Sequence, residues 1–250
     1  MKTLGLIGGI SAESTTVYYQ QLTRLVRERL GGLHSCELIL WSVDFAPMAE
    51  LQAREDWEAA GVILADAAAK LEAAGAEAII ICSNTVHLNA PHIRAAVSIP
   101  LIHIADATAQ ALRARGVTRP LLLATRFTME KAFYRDRLAE LGVTALTPDK
   151  ADRDRLHAII YDELCQGVIR PESKAEVLGI IARGQAAGAD GLIFGCTEIG
   201  LLLDPADMPL PTVDTALAHA EAAVEFALGR GRSLERVRRK WIPVSPPDAL

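Results

Sequence analysis

Two short stretches carry residue types that can do chemistry, and they do so at matching places. Gly191-Leu192-Ile193-Phe194 runs apolar into Gly195-Cys196-Thr197-Glu198, so a thiol, a hydroxyl and a carboxyl follow one another directly. Earlier, Ala78-Ile79-Ile80-Ile81-Cys82 empties into Ser83-Asn84-Thr85-Val86-His87 in the same way. A short apolar run that ends in small polar residues reads as a buried strand delivering side chains to the start of a helix. The chemistry on offer is that of a thiol, with an ordinary pKa of about 8.5, set among hydroxyl, amide and carboxyl groups. Two such strand ends predict one site with two walls.

The elements that must position these walls alternate along the chain. Strands are expected over residues 2–7, 37–43, 78–82, 101–104, 120–124 and 191–194, with a further short one at 211–213. Helices are expected over 11–30, 51–74, from about 87, after Asp106, over 128–141, 152–166 and 172–187, and finally over 214–228. Alternating strands and helices imply right-handed βαβ units and mainly parallel sheets, in which ligands sit beyond the carboxyl ends of the strands. Both polar stretches lie at such ends. A third lies after the first strand, where Gly8-Gly9 leads into Ser11-Ala12-Glu13-Ser14-Thr15. Glycines between a strand and a helix N-terminus suit either an anion site or a tight turn with no ligand. Cys82 and Ser83 should point to opposite faces of their sheet, which makes Cys82 a core thiol.

Composition narrows the function classes. The chain has 250 residues, half of them hydrophobic, and 31 acidic against 26 basic side chains. Such a chain buries a large core, and its net negative charge argues against general nucleic-acid binding, leaving a small molecule as the expected partner. No apolar run approaches the ~20 residues of a membrane span, and glycines interrupt the N-terminus too early for a signal peptide, so a cytoplasmic location is expected. The four cysteines have no C-x-x-C spacing, and reduced thiols follow. No cluster at metal-ligand spacing, no P-loop and no G-x-G-x-x-G is present, so neither metal nor nucleotide cofactor is expected. Residues 229–250, with Arg236, Arg238, Arg239 and Lys240 among prolines, read as a solvated basic tail.

Taken together, Gly8-Gly9-Ile10-Ser11-Ala12-Glu13-Ser14-Thr15 with Tyr18-Tyr19, Ser83-Asn84-Thr85-Val86-His87 and Gly195-Cys196-Thr197-Glu198-Ile199 resemble the aspartate/glutamate racemase family. Leu33-His34-Ser35, Ser42-Val43-Asp44-Phe45, His103 to Thr108 and Thr125 to Glu130 resemble its broad-specificity bacterial subgroup. The resemblance implies an α/β fold of two pseudo-symmetric domains, each a parallel sheet flanked by helices, with the active site in the interdomain cleft and the chain a homodimer. It divides the chain into 1–98 plus 213–228, 99–212, and the tail. It further implies racemisation of amino acids without a cofactor, by one group on each face of the α-carbon. In the family both are cysteines, whose thiols become bases when dipoles and cations lower their pKa.

By this resemblance Cys196 is one catalytic group and Ser83 stands where the other thiol is expected. Gly9, Ser11, Gln52, Asn84, Thr85, Thr197 and Glu198 are the implied substrate-binding residues, and His87 a supporting one. A serine hydroxyl cannot match a thiolate as a free base, so three readings stay open. Cys196 takes the proton from the L-enantiomer while Ser83, or water it holds, serves the other face. Alternatively, Cys196 acts alone as the proton donor of a decarboxylase, or the protein binds amino acids without turning them over. Strict aspartate racemases carry lysine at the position of Cys165 and arginine near residues 45–48; neither is present, which implies a differently gripped or wider range of side chains.

Overall fold

In the computed structural model, which describes residues 1–229, the chain divides into two compact units, Met1–Ala107 with the stretch from Ala216 onward, and Thr108–Thr215. The basic tail lies, from residue 230 on, outside the described residues. The first unit contains β1 (Leu4–Gly8), α1 (Ala12–Leu30), β2 (Leu38–Ser42), α2 (Phe45–Ala53), α3 (Trp57–Ala73), β3 (Ala78–Ile81) and α4 (Ala90–Ala96). It also holds the start of α5 (Ile104–Arg113). The second holds β4 (Pro120–Leu123), α6 (Arg126–Glu130), α7 (Ala132–Glu140), α8 (Lys150–Ala158), α9 (Pro171–Ala186), β5 (Gly191–Phe194), α10 (Ile199–Leu202) and β6 (Thr212–Asp214), after which α11 (Thr215–Ala227) returns to the first unit. Each unit is a three-stranded parallel sheet, in the order β2-β1-β3 in the first and β4-β5-β6 in the second.

Every residue of β1, β3, β4 and β5 is buried, as strands covered on both faces require. The two-residue alternation of the first sheet sorts its core. Leu4 and Leu6 of β1, with Ala78, Ile80 and Cys82, pack against Tyr18, Leu22 and Leu25 of α1 and Ala216, Ala220, Ala223 and Ala227 of α11. Ile7, Ile79 and Ile81 face the other way, onto Ala60, Leu64, Ala67 and Leu71 of α3. Cys82 is therefore a core thiol, and burial pushes its pKa far up.

The turn after β1 shows why glycine stands there. Gly9 has φ +86°, and a Cβ on it would overlap the Val43 carbonyl oxygen and sit 2.7 Å from the Val43 nitrogen. Its N–H donates to Thr15 Oγ1 at 2.8 Å, and Ser11 Oγ caps α1 by accepting from the Ser14 N–H. Gly9→Ala is expected to destabilise the protein by about 2–3 kcal/mol or more, combining left-handed strain with overlap of fixed backbone. Urea unfolding measures this, and a loss below about 0.5 kcal/mol would contradict it.

Several expected helices are interrupted. The helix expected over 51–74 is two, because Glu55 takes a left-handed φ of 55° and Asp56 caps α3 through the Ala59 N–H. The one expected over 128–141 breaks at Lys131, whose ψ of 139° is extended. The one expected over 152–166 becomes a π-helical turn at Ile159–Glu163 and a 3-10 turn at Leu164–Gln166. Finally, the strand expected over 101–104 is a single parallel bridge, Ile79 to Leu101, before α5 begins.

Candidate active site

In the second unit the reactive groups stand at the carboxyl end of β5. Gly195 lets the chain turn close to β4: its N–H donates to the Leu123 carbonyl at 2.7 Å, and a Cβ there would lie 2.9 Å from that of Ala124. Cys196 then donates from Sγ to Glu198 Oε2 at 2.8 Å, and Thr197 Oγ1 donates to the same oxygen at 2.8 Å. Glu198 is buried, whereas Cys196 and Thr197 are partly exposed. Burial, then the charge of Glu198, then Cys165, push the Cys196 thiol well above its ordinary value. This is the reverse of the lowering expected of a thiolate base. The thiol is held protonated, with a carboxylate placed to receive its proton.

Glu198→Gln removes that charge, so the Cys196 thiol should titrate at lower pH and be alkylated faster by iodoacetamide at pH 8. An unchanged pH profile of alkylation would contradict the pairing.

Of two neighbours of Cys196, Tyr161 had no signal in the sequence as a site residue, and Cys165 entered only as the position where strict aspartate racemases carry lysine. Tyr161 belongs to the π-helical turn, and its hydroxyl is pushed up to about 12 by burial, then by Cys196, Cys165 and Glu198. Cys165, four residues on, is exposed and acts on both. The His157 ring packs 4.5 Å from that of Tyr161. An unbroken α-helix was the expectation here, and a π turn changes which side chains share a face. At the adjacent strand ends Thr125 stands at the N-cap position of α6 with its Oγ1 3.3 Å from that of Thr128, and Thr215 Oγ1 donates to the Phe194 carbonyl at 2.9 Å, fixing the end of β5 from the start of α11.

In the first unit the implied residues gather at the carboxyl ends of β1, β2 and β3. Ser14 of α1 ties two of these ends together by donating to the Cys82 carbonyl at 2.8 Å. Ser83 follows, partly exposed, and Asn84 and Thr85 lead buried into a 3-10 turn over Thr85–Asn89. Gln52, in α2 beyond β2, is only 3% exposed, and its Nε2 has no hydrogen-bond partner among the described residues. A buried amide donor left in this way costs about 1–3 kcal/mol, which a ligand oxygen would relieve. Asp44 caps α2 through the Ala46 N–H.

The structure thus assembles Gly9, Ser11, Gln52, Ser83, Asn84, Thr85 and His87 in one unit and Cys196, Thr197 and Glu198 in the other. The Gly9 N–H and the Ser11 hydroxyl already serve the turn and the α1 cap, so Gly9 acts through shape. Among the described residues no group of three or more His, Cys, Asp and Glu is placed to hold a metal ion, and no helix is long and apolar enough to cross a membrane.

The sequence profile of the Asp/Glu/hydantoin racemase family matches residues 7–223. The broad-specificity amino-acid racemase RacX of Bacillus subtilis is 21% identical over 231 residues, covering 90% of this chain and 98% of its own. The crystal structure of a candidate Asp/Glu racemase from Yersinia pestis is 48% identical and superposes with a TM-score of 0.86, covering 91% of this chain and all of that one. That of an aspartate racemase homologue from Pyrococcus horikoshii is 35% identical with a TM-score of 0.81, at the same coverage.

Proposed function

The chain belongs to the Asp/Glu/hydantoin racemase family, and on that premise we propose that it racemises amino acids of the aspartate/glutamate type, with a range of side chains extending beyond these two, without pyridoxal phosphate. The observation that carries this reading is the Cys196 thiol paired at 2.8 Å with the buried Glu198 carboxylate at the end of β5.

The reaction needs a base on one face of the α-carbon and an acid on the other. In our reading Cys196 passes its thiol proton to Glu198, and the thiolate so formed takes the α-proton of the L-enantiomer. The electron pair of the broken C–H bond stays on the α-carbon and is stabilised through the substrate carboxylate. Asn84, Thr85 and Thr197 supply donors to that carboxylate, and the orphaned Nε2 of Gln52 offers another. Ser83, or water held by it, returns a proton to the opposite face, and exchange with solvent resets both groups. A hydroxyl is a poorer base than a thiol, so turnover is slow and favours the L-to-D direction at first. A homodimer and a cytoplasmic location belong to the same reading, as does a domain boundary near residues 98 and 212.

A panel of L- and D-amino acids, incubated without added cofactor and resolved by chiral chromatography, tests it. Conversion of aspartate or glutamate is expected. Absence of inversion for every amino acid, together with carbon dioxide release from an aryl malonate, would replace racemisation by single-thiol decarboxylation.

A further inference from the structure

Behind Ser83 the first unit buries three histidines, of which the proposed reaction uses none. His87, His103 and His219 are 1%, 6% and 0% exposed, and the His87 ring centre lies 4.7 Å from that of His103 and 5.5 Å from that of His219. Their hydrogen bonds fix where each proton sits. His87 Nδ1 is 2.7 Å from the Ser83 carbonyl, which can only accept, so Nδ1 carries the proton. Its Nε2 accepts the Ile104 N–H at 3.2 Å and is bare. His219 Nε2 donates to the Ile102 carbonyl at 2.7 Å, leaving Nδ1 to accept from Tyr18 Oη at 2.8 Å. His103 Nδ1 accepts the Ala105 N–H. Each ring is therefore neutral and held in one tautomer.

The bonds of His87 and His219 run to backbone and to Tyr18. With that of His103 they converge on two pieces of backbone: the carbonyl of Ser83 and the segment 102–105 that leads into α5. We propose that His87 is the positioning residue for Ser83, a neutral imidazole walled in by His103 and His219 that ties the Ser83 carbonyl to the first amide of α5. The inference rests on the racemase reading, in which the Ser83 face is the weaker half of the reaction and so the more sensitive to misplacement. Burial first, then the charges of His103 and His219, hold the His87 pKa well below its ordinary value, with Arg94 acting in the same sense; burial likewise lowers His219 to about 4, against the opposing effects of the Ile102 carbonyl and Asp106. The clamp consequently keeps its tautomer throughout the neutral range.

Two substitutions separate its two bonds. His87→Asn keeps a donor where Nδ1 stood and loses the reach to Ile104; His87→Gln reaches toward Ile104 and loses the donor to Ser83. With L-aspartate or L-glutamate in D₂O, the ratio of inversion to α-proton exchange should fall by about tenfold or more in His87→Gln and stay within about threefold of the parent in His87→Asn, a misplaced group costing up to about 10²-fold. Exchange itself, driven by Cys196, should persist in both. General destabilisation would lower exchange and inversion in parallel in both variants, and that result, or an unchanged ratio in His87→Gln, would overturn the proposal. An arm that needs no turnover uses ¹⁵N-histidine-labelled parent protein: His87 should show a protonated Nδ1 and a bare Nε2 from pH 8 to pH 6. A protonated Nε2, or titration near pH 6.5, would overturn the clamp, whereas absence of exchange for every amino acid beside the expected tautomer would fail only the racemase reading.

Discussion

Cys196→Ala is expected to reduce α-proton exchange by about 10²–10⁴-fold, the usual contribution of a positioned acid–base group, and to remove inversion with it. The substitution is structurally mild. Cys196 is partly exposed, Glu198 keeps the bond from Thr197 Oγ1, and the turn is held by backbone, Gly195 N–H to the Leu123 carbonyl and Ile199 N–H to the Cys196 carbonyl. Loss of activity in a variant whose thermal unfolding matches the parent would therefore report chemistry and not folding. NMR of the α-proton in D₂O measures it, and exchange within about tenfold of the parent would move the base elsewhere, with Tyr161 and Cys165 the first groups to test.

Ser83→Cys should act in the opposite sense. A thiol of ordinary pKa near 8.5 replaces a hydroxyl that cannot ionise near neutrality, on a turn whose geometry is already set by Ser14 on the Cys82 carbonyl and His87 on the Ser83 carbonyl. Inversion should rise by about 10–10³-fold, and the difference in rate between the two enantiomers should shrink, because both faces would then have a thiol. Initial rates from each pure enantiomer, followed by circular dichroism, measure this. Inversion that is unchanged or lower would mean that the Ser83 face does not limit the reaction.

The parts of the fold legible in the sequence were those set by local pattern. Uninterrupted apolar runs identified the buried strands, the two-residue period placed Cys82 in the core, and a glycine after β1 marked a turn that the backbone geometry demands. The breaks were not legible. Asp56 as the cap of α3 and the extended Lys131 interrupt sequences whose apolar spacing alone would continue a helix. The site was half legible for a related reason. Cys196, Thr197 and Glu198 are contiguous, and a strand end displays them together. The histidine cluster depends on contacts across the chain, Tyr18 to His219 and His219 to Ile102, that no spacing reveals. Nor does any local signal say that the Cys196 thiol is raised and not lowered. That outcome depends on burial and on Glu198 turning back toward the sulfur.

The most direct test of the account is α-proton NMR of L-aspartate and L-glutamate with the protein in D₂O, read beside a chiral assay of the same samples. The account predicts loss of the α-proton signal, faster than the accompanying slow appearance of the D-enantiomer, with both absent in Cys196→Ala. Persistence of the α-proton signal for every amino acid tried would contradict it.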